Sequence, residues 1–181
     1  MLAFISAVVV VVCVCIGVTM NLTTTADENF DHMGIRTFCM FTVNSNILAG
    51  LAMLLCIPYT VDGLRTGYYH LPDWVVVAMH AAVTAVSLTF LVSLCILAPV
   101  KGFVLIFTGS RFFLHGVCPI LSIVTFCCFI CSHLVRPKEM LLALVPVLLY
   151  AAVYLVMVVF IVRARVWRTD TSTTCLREPS L

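Results

Sequence analysis

Long apolar runs alternate with short polar segments along this chain, and the runs have the length of membrane-spanning helices. The hydrocarbon core of a bilayer is about 30 Å thick, so a helix needs about 20 mostly apolar residues to cross it. Five runs meet this requirement, at about residues 2–20, 37–59, 74–98, 111–134 and 140–162. We therefore predict an all-α fold, a polytopic transmembrane helix bundle with five spans.

Prolines and short polar loops mark the ends of the predicted spans. Pro58 and Pro99 are expected to end the second and third spans, because a proline removes a backbone hydrogen bond from a helix. Residues 136–139 predict a tight connection between the fourth and fifth spans. Residues 163–181 are polar and rich in threonine, which is typical of a disordered tail.

The composition supports an integral membrane protein and excludes a soluble domain. The chain is 63% hydrophobic and only 10% of its residues are charged, whereas soluble domains carry about 25%. The formal net charge is +2, and the positive residues lie in loops and in the tail, where they orient the chain rather than bind nucleic acid. Seven of the ten Lys and Arg residues fall in cytoplasmic segments if the N-terminus is outside, so we predict an outside N-terminus and a cytoplasmic C-terminus.

The ten cysteines do not have the pattern of a disulfide framework. Nine of them lie in or beside the apolar runs, and Cys175 alone lies in the polar tail. A buried cysteine behaves as a small apolar residue. Cys127 and Cys131 share a helix face, but thiolates are costly in lipid, so we predict no metal site and no cofactor.

Polar side chains cluster where the second span begins. Thr42, Asn44, Ser45 and Asn46 occupy four of five consecutive positions in an otherwise apolar run. Thr42, Ser45 and Asn46 share one helix face, because their spacing is i, i+3 and i+4. Taken alone, this face is typical of hydrogen bonds that hold membrane helices together.

His115 in the fourth span is the strongest single candidate for chemistry, because an ionisable group inside a span is costly and is a functional candidate by default. The alternative is a neutral histidine bonded to a backbone carbonyl. Pro119 removes the helix hydrogen bond to the His115 carbonyl and predicts a kink there. The second and fourth spans run parallel, and Thr42 and His115 lie roughly 9 and 6 Å inside Arg36 and Arg111 at about 1.5 Å per residue. We therefore expect both at similar depth on one side of the membrane.

A threonine and a histidine at matching depth form a candidate nucleophile and base. A threonine hydroxyl is a poor nucleophile unless a base removes its proton, and His115 is placed to be that base for Thr42. The amides of Asn44 and Asn46 are candidate donors to an oxyanion. This pattern is typical of nucleophilic catalysis by a hydroxyl group.

Two other sets of residues leave alternatives open. Cys39 and Cys118 lie one helical turn from the predicted nucleophile and base, and either is a candidate nucleophile. His80, Thr84 and Ser87 form a second polar face near the opposite membrane surface, for which we favour a structural role.

Three segments resemble a known family. Residues 40–48 (MFTVNSNIL), residues 89–92 (TFLV) with 98–99 (AP), and residues 113–121 (FLHGVCPIL) resemble the bacterial relatives of the FAR-17a/androgen-induced membrane protein family. The pattern covers roughly residues 30–162. The resemblance implies a multi-helix membrane fold, usually with six spans. Here a charged tail follows Val162, so we expect the last family span to be missing.

The resemblance also implies an activity and a site. Animal members of the family are membrane hydrolases that cleave fatty acid esters of hydroxy fatty acids with an intramembrane threonine and histidine, which by motif are Thr42 and His115. The expected function is therefore that of an intramembrane lipid-ester hydrolase or acyl-transfer enzyme. Its expected partner is membrane lipid, its expected substrate is a fatty-acyl ester, and its expected location is the bacterial cytoplasmic membrane. The alternative is a non-enzymatic bundle that serves as a structural, partner-binding or transport subunit.

Overall fold

The computed structural model describes residues 1–23, 34–130 and 136–175. All regular elements in these ranges are helical, which confirms the all-α prediction. Five helices are long and apolar enough to cross a membrane, as predicted: Leu2–Thr23, Phe41–Thr66, Asp73–Lys101, Gly109–Ile130 and Pro137–Phe160. The chain divides into two compact units, Met1–Pro146 and Val147–Leu181.

The first unit contains the first four spans, named α1 (Leu2–Thr23), α2 (Phe41–Thr66), α3 (Asp73–Lys101) and, after the short helix α4 (Phe103–Ile106), α5 (Gly109–Ile130). A 3₁₀ turn at Gly34–Cys39 leads into α2. The core of the unit is apolar. It consists of buried side chains from α1, α2, α3 and α5, among them Val10, Met53, Met79, Val86 and Cys118.

Helix α2 passes through Pro58 instead of ending there as predicted. Ending a helix inside lipid leaves several carbonyls without donors, whereas an interior proline removes a single bond, so continuation is favoured. The helix ends at Gly67, whose φ of 75° and N–H bond to the Gly63 carbonyl form a left-handed cap.

Helices α3 and α5 each contain a widened π turn that ends two residues before a proline. In α3 the π turn at Ser93–Leu97 is followed by Ala98 and Pro99, and helix continues to Lys101 rather than stopping at Pro99 as predicted. In α5 the π turn at Phe113–Val117 is followed by Cys118 and Pro119. A π turn interrupts the regular ladder of helix hydrogen bonds. A proline, which cannot donate to that ladder, is accommodated at such an interruption.

Close contacts between α1 and its neighbours depend on glycine. A Cβ atom added to Gly17 would lie 3.0 Å from Cδ2 of Leu114, in the π turn of α5. A Cβ added to Gly50 would lie 3.3 Å from Cγ1 of Val14. Small residues allow membrane helices to approach closely and gain van der Waals contact. Helix α1 is thereby packed against the turn that carries His115.

The fifth span belongs to helix α6, Pro137–Cys175, which begins in the first unit and continues in the second. Its start is stabilised by Glu139, whose Oε2 accepts a hydrogen bond of 3.0 Å from the Arg136 N–H. Residues 163–175 are helical although we predicted a disordered tail from 163, and residues 176–181 lie outside the described ranges. The side chains of residues 151–160 are all exposed and mostly apolar, which suits a helix surrounded by lipid.

Candidate functional site

The polar face of α2 is bonded to α3 through two hydroxyl groups. The Oγ of Ser45 and the Oγ1 of Thr89 lie 2.8 Å apart and share a hydrogen bond, and both residues are buried. Each hydroxyl also lies within reach of a carbonyl on its own helix, that of Thr42 for Ser45 and that of Ala85 for Thr89. This pair joins the start of α2 to the last part of α3.

The side-chain amide of Asn46 bonds to two carbonyls on two helices. Its Nδ2 donates to the Thr42 carbonyl at 2.7 Å and to the Leu114 carbonyl at 2.8 Å. Asn46 is completely buried, and its Oδ1 has no hydrogen-bond partner. Because an amide nitrogen has only two hydrogens, both are committed to holding α2 against α5, and Asn46 is not available in this arrangement as the oxyanion donor that we predicted.

Pro119 explains why the Leu114 carbonyl needs a donor from another helix. In the π turn the Cys118 N–H bonds to the Phe113 carbonyl, five residues earlier. In the same register the next donor would be residue 119, bonding to the Leu114 carbonyl, but proline has no N–H. We predicted that Pro119 frees the carbonyl of His115. The π turn moves the missing bond by one residue, and the amide from α2 replaces it.

The imidazole of His115 is bonded to Ser93 on α3. Its Nδ1 and the Ser93 Oγ lie 2.5 Å apart. Ser93 is 1% exposed and follows Thr89 by four residues, so both hydroxyls lie on the α3 face that meets α2 and α5. The predicted base is therefore held by a neighbouring hydroxyl, and it is half-buried rather than enclosed.

Thr42 and His115 lie on helices that are in direct contact at their level. One amide, that of Asn46, binds the carbonyl of Thr42 and the carbonyl of Leu114, the residue before His115. No hydrogen bond joins the Thr42 hydroxyl to the imidazole or to any other group in the described ranges, and Thr42 is half-buried. The catalytic roles of the two residues stay a prediction.

The other candidates near this network have different surroundings. The Nδ2 of Asn44 donates to the Phe38 carbonyl at 2.7 Å, which fastens the 3₁₀ turn to the start of α2. Cys118, an alternative nucleophile, is enclosed in the apolar core. Cys39, the other alternative, is exposed.

His80 belongs to a separate polar group deeper along α3 and α5. Its ring stacks on Phe126 with centroids 5.5 Å apart and planes 6° apart. Three buried atoms of this region have no hydrogen-bond partner: Nδ1 of His80, Oγ of Ser122 and Oγ1 of Thr125. This group has no hydrogen bond to the Ser93–His115 pair among the described residues.

Sequence reasoning missed Ser93, although a signal was present. The third span runs antiparallel to the second and fourth, so its last turns lie at the same membrane side as Thr42 and His115. Thr89 and Ser93 are the hydroxyl residues of those turns, spaced i and i+4. Among the described residues no group of three or more His, Cys, Asp and Glu side chains has the geometry of a metal site.

Comparison with known proteins identifies no relative: no protein-family model matches the chain, and neither does a curated protein or a solved structure. The resemblance to the androgen-induced family therefore stays a prediction that rests on the residues of the three segments. The hydrogen-bond network described above is independent of it.

Proposed function

We propose that this chain is an intramembrane enzyme that hydrolyses a lipid ester or transfers its acyl group, with Thr42 as nucleophile and His115 as base. The observation that carries the proposal is the bond between His115 Nδ1 and Ser93 Oγ within a buried polar network of α2, α3 and α5. An ionisable ring fixed inside a membrane-spanning region is costly without a function.

The proposed reaction has two balanced steps. In the first, Oγ1 of Thr42 attacks the acyl carbonyl while His115 takes the hydroxyl proton, and the leaving alcohol then takes that proton from His115 as the ester C–O bond breaks. In the second, His115 takes a proton from water, which attacks the acyl-threonine carbonyl, and then gives that proton to Oγ1 of Thr42 as its bond to the acyl carbon breaks and the fatty acid leaves. An alcohol in place of water gives acyl transfer.

The surroundings of Thr42 support its role as the attacking group. Its hydroxyl is half-buried and has no hydrogen bond to break within the described ranges before it reacts. It lies in the first turn of α2, near the end of a span, which is the depth at which lipid ester groups are found. Substrate chains would lie in the surrounding lipid. The bacterial cytoplasmic membrane as location rests on the family resemblance.

A non-enzymatic bundle is the second candidate, and one observation favours it. The side chains of Ser45, Asn46 and Thr89 all bond between helices or to their own helix, which is what structural hydrogen bonds in membranes do. Under this alternative His115 and Ser93 form one more interhelical bond.

Activity of purified variants separates the two candidates. The protein in detergent is incubated with a fluorophosphonate probe and, separately, with a fluorogenic fatty-acyl ester. Thr42→Val and His115→Gln are expected to lose hydrolysis by about 100-fold or more, the range of general base catalysis. Thr84→Val is the matched control, because Thr84 bonds to the His80 carbonyl of its own helix, and it should react like the wild type.

The opposite result is equally clear. Hydrolysis and labelling that are the same in the wild type, Thr42→Val and His115→Gln refute the enzymatic proposal. The non-enzymatic alternative predicts in addition that His115→Gln, which alters the bond to Ser93, lowers thermal stability while the lipid composition of the expressing cells does not change.

A further inference from the structure

We propose that Ser93 is a positioning residue for the reaction: it accepts a hydrogen bond from Nδ1–H of His115 and so leaves Nε2 as the ring nitrogen that exchanges a proton with Thr42. This inference rests on the proposed function for its catalytic meaning. The contact itself, 2.5 Å between Ser93 Oγ and His115 Nδ1, does not depend on it.

Ser93 differs from the hydroxyl residues of these spans that bond to their own helix. Serine and threonine in membrane helices commonly donate to a carbonyl of the preceding turn, and Ser45, Thr60, Thr84 and Thr89 are all within reach of such a carbonyl. Ser93 makes no such bond in the described ranges, and its Oγ is paired with Nδ1 of His115 instead. It is also the first residue of the α3 π turn.

The direction of this bond decides which nitrogen is basic. A neutral imidazole has one N–H and one lone pair, and the partner of one nitrogen sets the role of the other. If Nδ1–H donates to Ser93, Nε2 has the lone pair. If the Ser93 hydroxyl donates to Nδ1, Nε2 carries the hydrogen and Ser93 itself becomes the group that the base would activate.

Accessibility favours Thr42 over Ser93 as the attacking group, and Nε2 can take a proton from Thr42 only in the first arrangement. Ser93 is 1% exposed, so an ester carbonyl has little access to its oxygen, whereas Thr42 is half-buried and its hydroxyl is without a partner in the described ranges. The backbone next to the ring is also fixed, because Asn46 holds the Leu114 carbonyl. Ser93 of α3 thus holds the ring of His115, and Asn46 of α2 holds the backbone next to it.

The proton balance assigns Ser93 no net change. Nε2 takes the proton of Thr42 and later gives it to the leaving alcohol, while Nδ1–H stays bonded to the Ser93 oxygen throughout. This is the orienting role that a carboxylate has in a Ser–His–Asp triad. A neutral hydroxyl fixes the tautomer and the ring but adds no negative charge beside the imidazolium.

The first test measures the tautomer without any substrate. In the full-length protein, ¹⁵N-labelled on histidine, the His115 ring is followed by NMR in the wild type and in Ser93→Ala, Ser93→Thr and Ser87→Ala. Ser87 is the control, a half-buried serine of the same helix. We expect an Nδ1–H ring in the wild type, Ser93→Thr and Ser87→Ala, and a mixture of tautomers in Ser93→Ala.

The second test measures catalysis in the same variants. We expect kcat to fall about 10- to 100-fold in Ser93→Ala, by analogy with the partners that orient metal-binding histidines, with KM unchanged and most of the rate recovered in Ser93→Thr. The acyl group or probe, located by mass spectrometry, should stay on the peptide that contains Thr42.

Each opposite outcome overturns the inference. An acyl group on Ser93 makes it the nucleophile, and an unchanged His115 tautomer in Ser93→Ala shows that the hydroxyl does not set the ring. If the wild type has no activity, the proposed function fails, whereas the NMR comparison still decides whether Ser93 holds Nδ1. Because Ser93→Thr keeps the oxygen, it separates this role from a general loss of folding.

Discussion

Replacing Asn46 by leucine removes the cross-helix donor that Pro119 makes necessary. Nδ2 of Asn46 is the one group in the described ranges that bonds to the Leu114 carbonyl, and Asn46 is completely buried. Leucine has the same branching and the same number of side-chain heavy atoms, so the change removes the hydrogen bonds while keeping the shape of the side chain. The prediction is that this loss depends on Pro119.

The magnitude follows from the two carbonyls that Asn46 binds. The Thr42 carbonyl is inside α2 and can keep its helical donor, so its loss is small. The Leu114 carbonyl becomes a buried acceptor without a partner, which costs about 1–3 kcal/mol. The substitution also removes the unpaired Oδ1 of Asn46, and this offsets part of that free-energy cost. We expect Asn46→Leu to lower the free energy of unfolding by about 1–2 kcal/mol.

Pro119→Ala should reduce that loss, because residue 119 then has an N–H for the Leu114 carbonyl in the π-turn register. In this background we expect Asn46→Leu to cost about 0.6 kcal/mol or less, the average for an interhelical hydrogen bond in a membrane protein. The coupling between the two substitutions is then about 1 kcal/mol, within the range for residues that share a partner.

A double-mutant cycle measures this coupling. Reversible unfolding of the wild type, both single variants and the double variant is followed in mixed micelles of detergent and dodecyl sulfate. Asn44→Leu is the matched control, because Asn44 is an asparagine of the same helix that bonds to the Phe38 carbonyl. Its effect and that of Pro119→Ala should add to within about 0.5 kcal/mol. Equal losses for Asn46→Leu in both backgrounds would refute the role assigned to Pro119.

Two other substitutions test the packing of the same helices. Gly17→Leu should lower the free energy of unfolding by about 1–3 kcal/mol, the cost of an overpacked site, since even a Cβ there would lie 3.0 Å from Leu114. Gly116→Ala should leave stability unchanged, because its Cβ would have an ordinary contact at 3.5 Å. Equal melting temperatures for the two variants would contradict this reasoning. Thr125→Val should leave stability unchanged or raise it by up to about 1 kcal/mol, because it removes a buried hydroxyl without a partner while keeping the shape of the side chain. A clear loss of thermal stability in the same melting assay would show that the hydroxyl is bonded.

Hydrophobic patterning predicts the spans of this chain well, because each must supply a length of apolar helix that the bilayer dictates. The ends of the helices are harder to predict, as Pro58 shows. A proline is a strong stop signal in water, but lipid penalises the exposed carbonyls of a helix end more than one missing bond. The helical continuation of residues 163–175 was also not apparent from their polar composition.

The candidate site was only partly predictable for a different reason. His115 and the polar face of α2 stand out because polar groups are rare in apolar runs. The partner of His115 does not stand out, because a lone serine in a membrane helix usually bonds to its own backbone. Ser93 gains its role from a π turn, and a π turn is one residue of extra length that no residue type signals.

The π turns at Ser93–Leu97 and Phe113–Val117 also change the direction in which side chains point before and after them. A helix turns by about 100° per residue, so one additional residue in Phe113–Val117 rotates everything after it by that angle relative to a regular helix. The residue in the middle of this turn is His115, and its bonded partner begins the equivalent turn of α3. Deleting one residue between His115 and Pro119 would leave a helix of nearly the same length and hydrophobicity, but it would rotate His115 relative to the rest of α5 and point it away from Ser93. The length of the chain between Arg111 and Pro119 is therefore as strict a requirement of this site as the residues themselves.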